Sequence, residues 1–162
     1  MLSELFTNLL LALIFGATIG LERESSQHGE SAGAVGGIRT FSLISLLGAL
    51  AGILFKHDYS ALALCMVAGF LIFLISFYVV ESSSTKRFGI TSELSAFATF
   101  FIGLLVLIDI IPLQITVAIF VTLIFVMSLK SRTTQLVAGI SKNEVQSFIS
   151  YAIIALVALP VL

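Results

Sequence analysis

The sequence predicts an all-α integral membrane protein, a bundle of about six transmembrane helices with its N-terminus outside and with five as the other count it allows. Three observations point there. Of 162 residues, 59% are hydrophobic and only 10% charged, against roughly 25% charged in an average soluble domain. Mean hydropathy is +1.17, more apolar surface than a soluble core can use. The apolar residues also gather into runs of roughly 17 to 20, the length that crosses a hydrocarbon core about 30 Å thick at about 1.5 Å per residue. Lipid gives the backbone no hydrogen-bond partner, so runs of this length span as helices; spanning strands would be much shorter and would alternate in polarity.

The first apolar run covers residues 5–21. The opening MLSELFTNLL has no basic region and no small-residue cleavage site, so it reads as a membrane helix and not as a removed signal. It runs into Glu22-Arg23-Glu24 and then a loop carrying Gly29, Gly33, Gly36 and Gly37. That loop lacks the terminal Lys-Ser/Thr of a Walker motif and reads as a flexible hairpin. The second run, 38–55, opens with Gly37-Ile38-Arg39-Thr40, and the third, 61–80, follows a short break at 56–59. Before the fourth, 94–111, stand Gly89-Ile90-Thr91-Ser92-Glu93. There Thr91 or Ser92 suits a helix cap, and Glu93 sits near the positive end of the helix dipole.

A tight turn at 109–112 leads to the fifth run, 113–129, with Pro112 where its missing N–H costs nothing. A kink or re-entrant bend at 108–113 would instead merge two spans and leave five. The sixth run, 145–162, contains Gln146, Ser147, Ser150 and Pro160. It follows a mixed stretch, 135–147, of interfacial character, in which Ser141 and Glu144 match a capping box. The whole chain, 1–162, reads as a single transmembrane domain.

Lys and Arg set the orientation. Arg23, Arg39, Lys86, Arg87, Lys130, Arg132 and Lys142 fall in the first, third and fifth loops, and Lys56 alone on the other side. The positive-inside rule then makes loops 22–37, 81–93 and 130–144 cytoplasmic and both termini external. The net charge of -1 and the scatter of the basic residues exclude a nucleic-acid-binding face. One cysteine, Cys65, excludes an intrachain disulfide and a cysteine metal cluster. No nucleophile and base are visibly paired, so the chain is not read as an enzyme, and no cofactor fingerprint is present.

Polar side chains concentrate at one end of the bundle. Glu22 and Arg23 point about 100° apart on a helix, so part of the Glu22-Arg23-Glu24 charge must turn into the protein. Glu22 and Arg39 lie on consecutive helices at the same depth, where pairing would relieve the cost of partial burial. A structural ion-pair network and a functional polar cavity stand as equal alternatives, beside interface anchoring by snorkelling. Glu93 and Thr91 belong to the same end, and carboxylates with hydroxyls are what a hydrated Mg²⁺ contacts, which makes Glu22, Glu24 and Glu93 candidate metal contacts. Thr40 completes the cluster. Gly16 with Gly20, and Gly48 with Gly52, form two GxxxG spacings that predict close packing of the first two helices.

Gly20-Leu21-Glu22-Arg23-Glu24, followed by Gly37-Ile38-Arg39-Thr40 leading into residues 43–48, resembles the signature of the MgtC/SapB family. Residues 89–93 and 145–162 resemble the longer branch, in which this domain is followed by a second membrane domain. The cytoplasmic C-terminal domain of the MgtC-like virulence factors is missing, as is the second membrane half. The resemblance therefore implies either a half-length protein or the partner of a separately encoded half. It also implies a multi-pass protein of the bacterial cell inner membrane, linked to Mg²⁺ homeostasis, either by transport or as a regulator of another membrane complex. As a transporter the chain would use Glu22, Glu24 and Glu93 as cation contacts, with Arg23 and Arg39 as their partners. Six short helices leave little room for a pore, so a homodimer at least is expected. Transport is narrowly favoured, because intramembrane ionisable residues mark pathways by default.

Overall fold

A computed structural model describes residues 2–26, 36–85, 91–108 and 110–138, together with Ser147. Those residues form five α-helices: α1 (Leu2–Ser26), α2 (Ile38–Lys56), α3 (Ser60–Thr85), α4 (Thr91–Ile108) and α5 (Leu113–Ala138). The first four are long and apolar enough to cross a membrane, and the apolar part of α5, Leu113–Leu129, is shorter. The protein is an all-α membrane bundle. The sixth expected span, 145–162, and the Ser141–Glu144 capping box lie outside the described residues, as do His28, Lys86, Arg87, Asp109 and most of the glycine-rich loop.

The helices outrun the apolar segments and absorb charges that the sequence assigned to loops. Residues 22–26 continue α1, 81–85 continue α3, 91–93 open α4, and 130–138 continue α5. Polarity ends a span at the lipid boundary, but a helix carries on into the headgroup region while its backbone bonds are satisfied internally.

Two connections show why the chain breaks where it does. After α2, Tyr59 N–H donates to Leu54 O at 2.9 Å and Asp58 N–H to Phe55 O at 3.2 Å, with Asp58 in the left-handed region at φ 65°. This is the Schellman pattern, and a short polar Asp tolerates the left-handed position that most residues avoid. Between α4 and α5 the chain breaks fully. Pro112 contributes its carbonyl to Ile115 N–H at 2.9 Å and stands immediately before α5, so α4 and α5 are separate helices and not one kinked span.

The chain divides into two compact units, Met1–Phe125 and Val126–Leu162. Within the first, α2 is the central helix, flanked closely by α1 and α4, which also touch each other; α3 covers a further side of α2 and meets α4 more lightly. The start of α5 meets α1 through Phe15 and Phe120, whose rings stack with centroids 4.1 Å apart. In the second unit the described backbone is the helical 126–138 stretch of α5.

Small residues set the spacing of the central three helices. A Cβ on Gly16 would stand 2.5 Å from Phe41 O, and one on Gly20 2.6 Å from Ile38 Cα, so these two glycines let α1 lie against α2 as the first GxxxG predicts. The second GxxxG serves a different neighbour. Gly48 faces Phe100 O, and a Cβ on Gly52 would stand 2.7 Å from Leu104 O, so this pair seats α4 and not α1. Gly103 answers from α4 by lying against Ser45 O. Lipid tails supply no hydrophobic drive between helices, so backbone-to-backbone approach of this kind, with Ala12, Ala49, Ala51 and Ala96 fully buried beside it, is what holds the core.

One interhelical hydrogen bond reinforces it: the buried Ser45 hydroxyl donates to Ala12 O at 2.6 Å. Such bonds between membrane helices contribute about 0.6 kcal/mol on average and at most about 1.7. Ser45→Ala is therefore expected to lower stability by about 1 kcal/mol in reversible denaturation from micelles. A loss above about 3 kcal/mol would mean that the serine holds more than this one bond.

Candidate functional site

The inward stripe of α1 runs Ala12, Phe15, Gly16, Ile19, Gly20 and Arg23, positions three and four apart on one face. An arginine thus occupies the last turn of a core-facing stripe. It is 6% exposed, and among the described residues it is the buried charged side chain. Its Nη2 donates to Thr91 O and to the Ser95 hydroxyl, both on α4. The end of α1 is bolted to the start of α4 by one guanidinium, whose Nη2 amino group gives its two hydrogens to two acceptors.

The α4 side is built by a repeat of four. Thr91, Ser95, Thr99 and Gly103 fall on one line along the helix, and Ser95 and Thr99 are buried. Ser95 Oγ lies 2.9 Å from Thr91 O and 2.8 Å from Ser92 O, and Thr99 Oγ1 donates to Ser95 O at 2.7 Å. Hydroxyls that bond back to the preceding turn satisfy themselves within the helix, which lets a polar stripe face the core. The Ser95 oxygen keeps a lone pair for Arg23.

The acids divide. Glu22 and Glu93 are the carboxylates whose charges act on Arg23. Glu22 is half-buried and accepts from the Ser26 hydroxyl at 2.8 Å. Glu93 is half-buried with a buried Oε2 that has no hydrogen-bond partner among the described residues, and the same holds for Arg23 Nε. Glu24 turns the other way. It is exposed, and its Oε2 receives a long 3.4 Å contact from Ile38 N–H, placing a negative charge at the N-terminus of α2, where Gly37 provides no side-chain cap.

The expected Glu22–Arg39 pair does not form. Arg39 is exposed, and among the described residues it makes no ion pair. The inward stripe of α2 passes through Phe41, Ile44, Ser45 and Gly48, which leaves Arg39 on the outer side. Thr40 faces α3, where it lines an apolar cleft. Glu22, Glu24 and Glu93 do not converge on a metal either: among the described residues no group of three His, Cys, Asp or Glu side chains is placed to hold one. The physical reason is helical register, since residues 22 and 24 lie about 200° apart around α1. Ser95, Thr99, Ser45 and Gly103 were missed in the sequence, although the four-residue spacing of small and hydroxyl residues on α4 is a signal that identifies the first two.

At the opposite end a cleft of about 400 Å³ is lined by Glu4, Asn8, Lys56 and His57 along with apolar residues of α1, α2, α4 and the α4–α5 turn.

A bundle of apolar helices seated on glycines, with an arginine buried at one end between the first and fourth helices, defines a polytopic α-helical membrane protein. A sequence model of the MgtC family matches residues 9–141, most of the chain. The chain belongs to the MgtC family. No curated protein matches it, and no solved structure does. Membership fits a role in ion homeostasis at a membrane.

Proposed function

We propose that this protein serves Mg²⁺ homeostasis as a membrane-embedded regulator that binds another membrane protein, and that it does not itself conduct the ion. The observation that carries this reading is the character of the polar end: its buried charge is a guanidinium committed to α4, and among the described residues no group of three His, Cys, Asp or Glu side chains is placed to hold a metal. Packing between α1, α2 and α4 is backbone-close, which disfavours a path through their centre. Transport remains the second reading, favoured by Glu93 Oε2 at the same end, which has no hydrogen-bond partner among the described residues.

In this reading the protein lies in a bacterial inner membrane with its Arg23 end cytoplasmic, an orientation supported by the bias of Lys and Arg toward that end. The partner is either a second copy or a separately encoded membrane protein. The test is Mg²⁺ and monovalent-ion flux into liposomes holding the purified protein, wild type against Glu22→Gln, Arg39→Ala and Glu93→Gln. Flux no greater than in empty liposomes, from folded protein, is the expected result. Saturable Mg²⁺ flux lost in Glu93→Gln would replace the regulator with a transporter.

A further inference from the structure

Between α2 and α3 lies a cleft of about 530 Å³, inside the range of roughly 300–1,000 Å³ typical of ligand sites. Its walls are almost wholly apolar. It begins at Gly36 and Thr40, beside the start of α2, and ends at Leu47 and Met66, with Phe100 of α4 as its floor. Phe100 is held there by Phe70, stacked on it with centroids 4.4 Å apart. Along α3 the cleft extends from Met66 to Phe77, roughly 16 Å of helix at about 1.5 Å per residue. That is about half of a hydrocarbon core roughly 30 Å thick, which is the depth of one leaflet.

Both walls belong to helices that cross the membrane, and the cleft is open on its side. Its occupant must therefore be apolar over one leaflet's depth and polar at the Gly36 end. Arg39 supplies the sign of that polar end: it precedes Thr40 at the start of α2, outside the lining of the cleft, exposed and without an ion pair among the described residues. We infer that the α2–α3 cleft is a binding site for one anionic phospholipid, an acyl chain along Phe77 to Met66 and the phosphate-bearing headgroup against Arg39. This rests on the fold alone and is independent of whether the protein transports or regulates.

The chain contains no tryptophan, so a single introduced one reports its own surroundings. Phe73→Trp sits in the cleft, and Ile72→Trp beside it faces away from the cleft and is 65% exposed. Each is reconstituted in phosphatidylcholine vesicles carrying a minor fraction of chain-brominated phosphatidylglycerol or, separately, chain-brominated phosphatidylcholine. Half-maximal quenching of the cleft tryptophan is expected at about fivefold lower content of the anionic lipid, the worth of one Arg beside an anionic headgroup, with no such preference at position 72. Adding Arg39→Gln should abolish the preference and leave the helix content unchanged. Leu47→Trp, on the α2 wall, repeats the measurement should Phe73→Trp fail to fold. Equal quenching by both lipids in the cleft, a preference that survives Arg39→Gln, or a cleft tryptophan that no lipid reaches because protein covers it, would each overturn the assignment.

Discussion

Gly48→Val is expected to cost about 3 kcal/mol or more. A side chain at this position would drive into Phe100 O and come within 3.1 Å of Leu104 N, both main-chain atoms of α4. A flexible side chain could swing aside; helical backbone cannot, so α2 and α4 must part along their whole contact. Gly103→Val should behave alike, because its Cβ would meet Ser45 O from the other side of the same contact. Gly69→Val is the matched control. Nothing lies within 4 Å of a Cβ at that position on α3, so the change should stay within about 0.5 kcal/mol of wild type. Reversible denaturation of the three variants in one micelle system checks the contrast. Equal stability of Gly48→Val and Gly69→Val would mean that α2 and α4 are not packed at backbone distance.

Arg23→Ala is expected to cost about 3 kcal/mol, since hydrogen bonds to a charged group contribute roughly 1.5–3 kcal/mol each and two are lost. The loss also removes the bolt between the first and fourth helices. Arg23→Lys should recover only a minor part, because a compact, strongly hydrated ammonium on a flexible stem loses the fixed planar placement of the donor nitrogen. Arg23→Met should be the mildest of the three, near 1 kcal/mol, as it keeps the stem's packing and removes a buried charge whose Nε has no partner among the described residues. The order Met, Lys, Ala in increasing loss is the test, read from the same denaturation series. Three variants within about 0.5 kcal/mol of wild type would show that Arg23 is an interface anchor held by water and headgroups.

The class of protein and the positions of the described helices follow from composition, run length and the placement of charges alone. Those properties need no partner: whether a run of apolar residues crosses lipid depends on its own transfer free energy and on backbone bonds that close within the run. The glycine spacings were equally legible as sites of close approach, since only a missing side chain allows it. Which helix approaches was not. Gly16 and Gly20 meet α2, whereas Gly48 and Gly52 meet α4, because a helix has several faces and the sequence does not say which neighbour takes each.

The same limit governs the charged end. That part of Glu22-Arg23-Glu24 must turn inward was fixed by the helical angle between neighbours, but the inward member proved to be the cation. Arg23 shares the stripe of Ile19 and Gly20, while Glu24 turns out to the head of α2 and Arg39 to the surface. Its acceptors, Thr91 O and Ser95 Oγ, lie more than sixty residues away in the chain, and one of them is a backbone carbonyl that no residue type advertises. Transfer of a segment into lipid is a local property, readable residue by residue. The pairing of its few polar groups depends on how the helices are rotated against one another, and close packing of the bundle decided that.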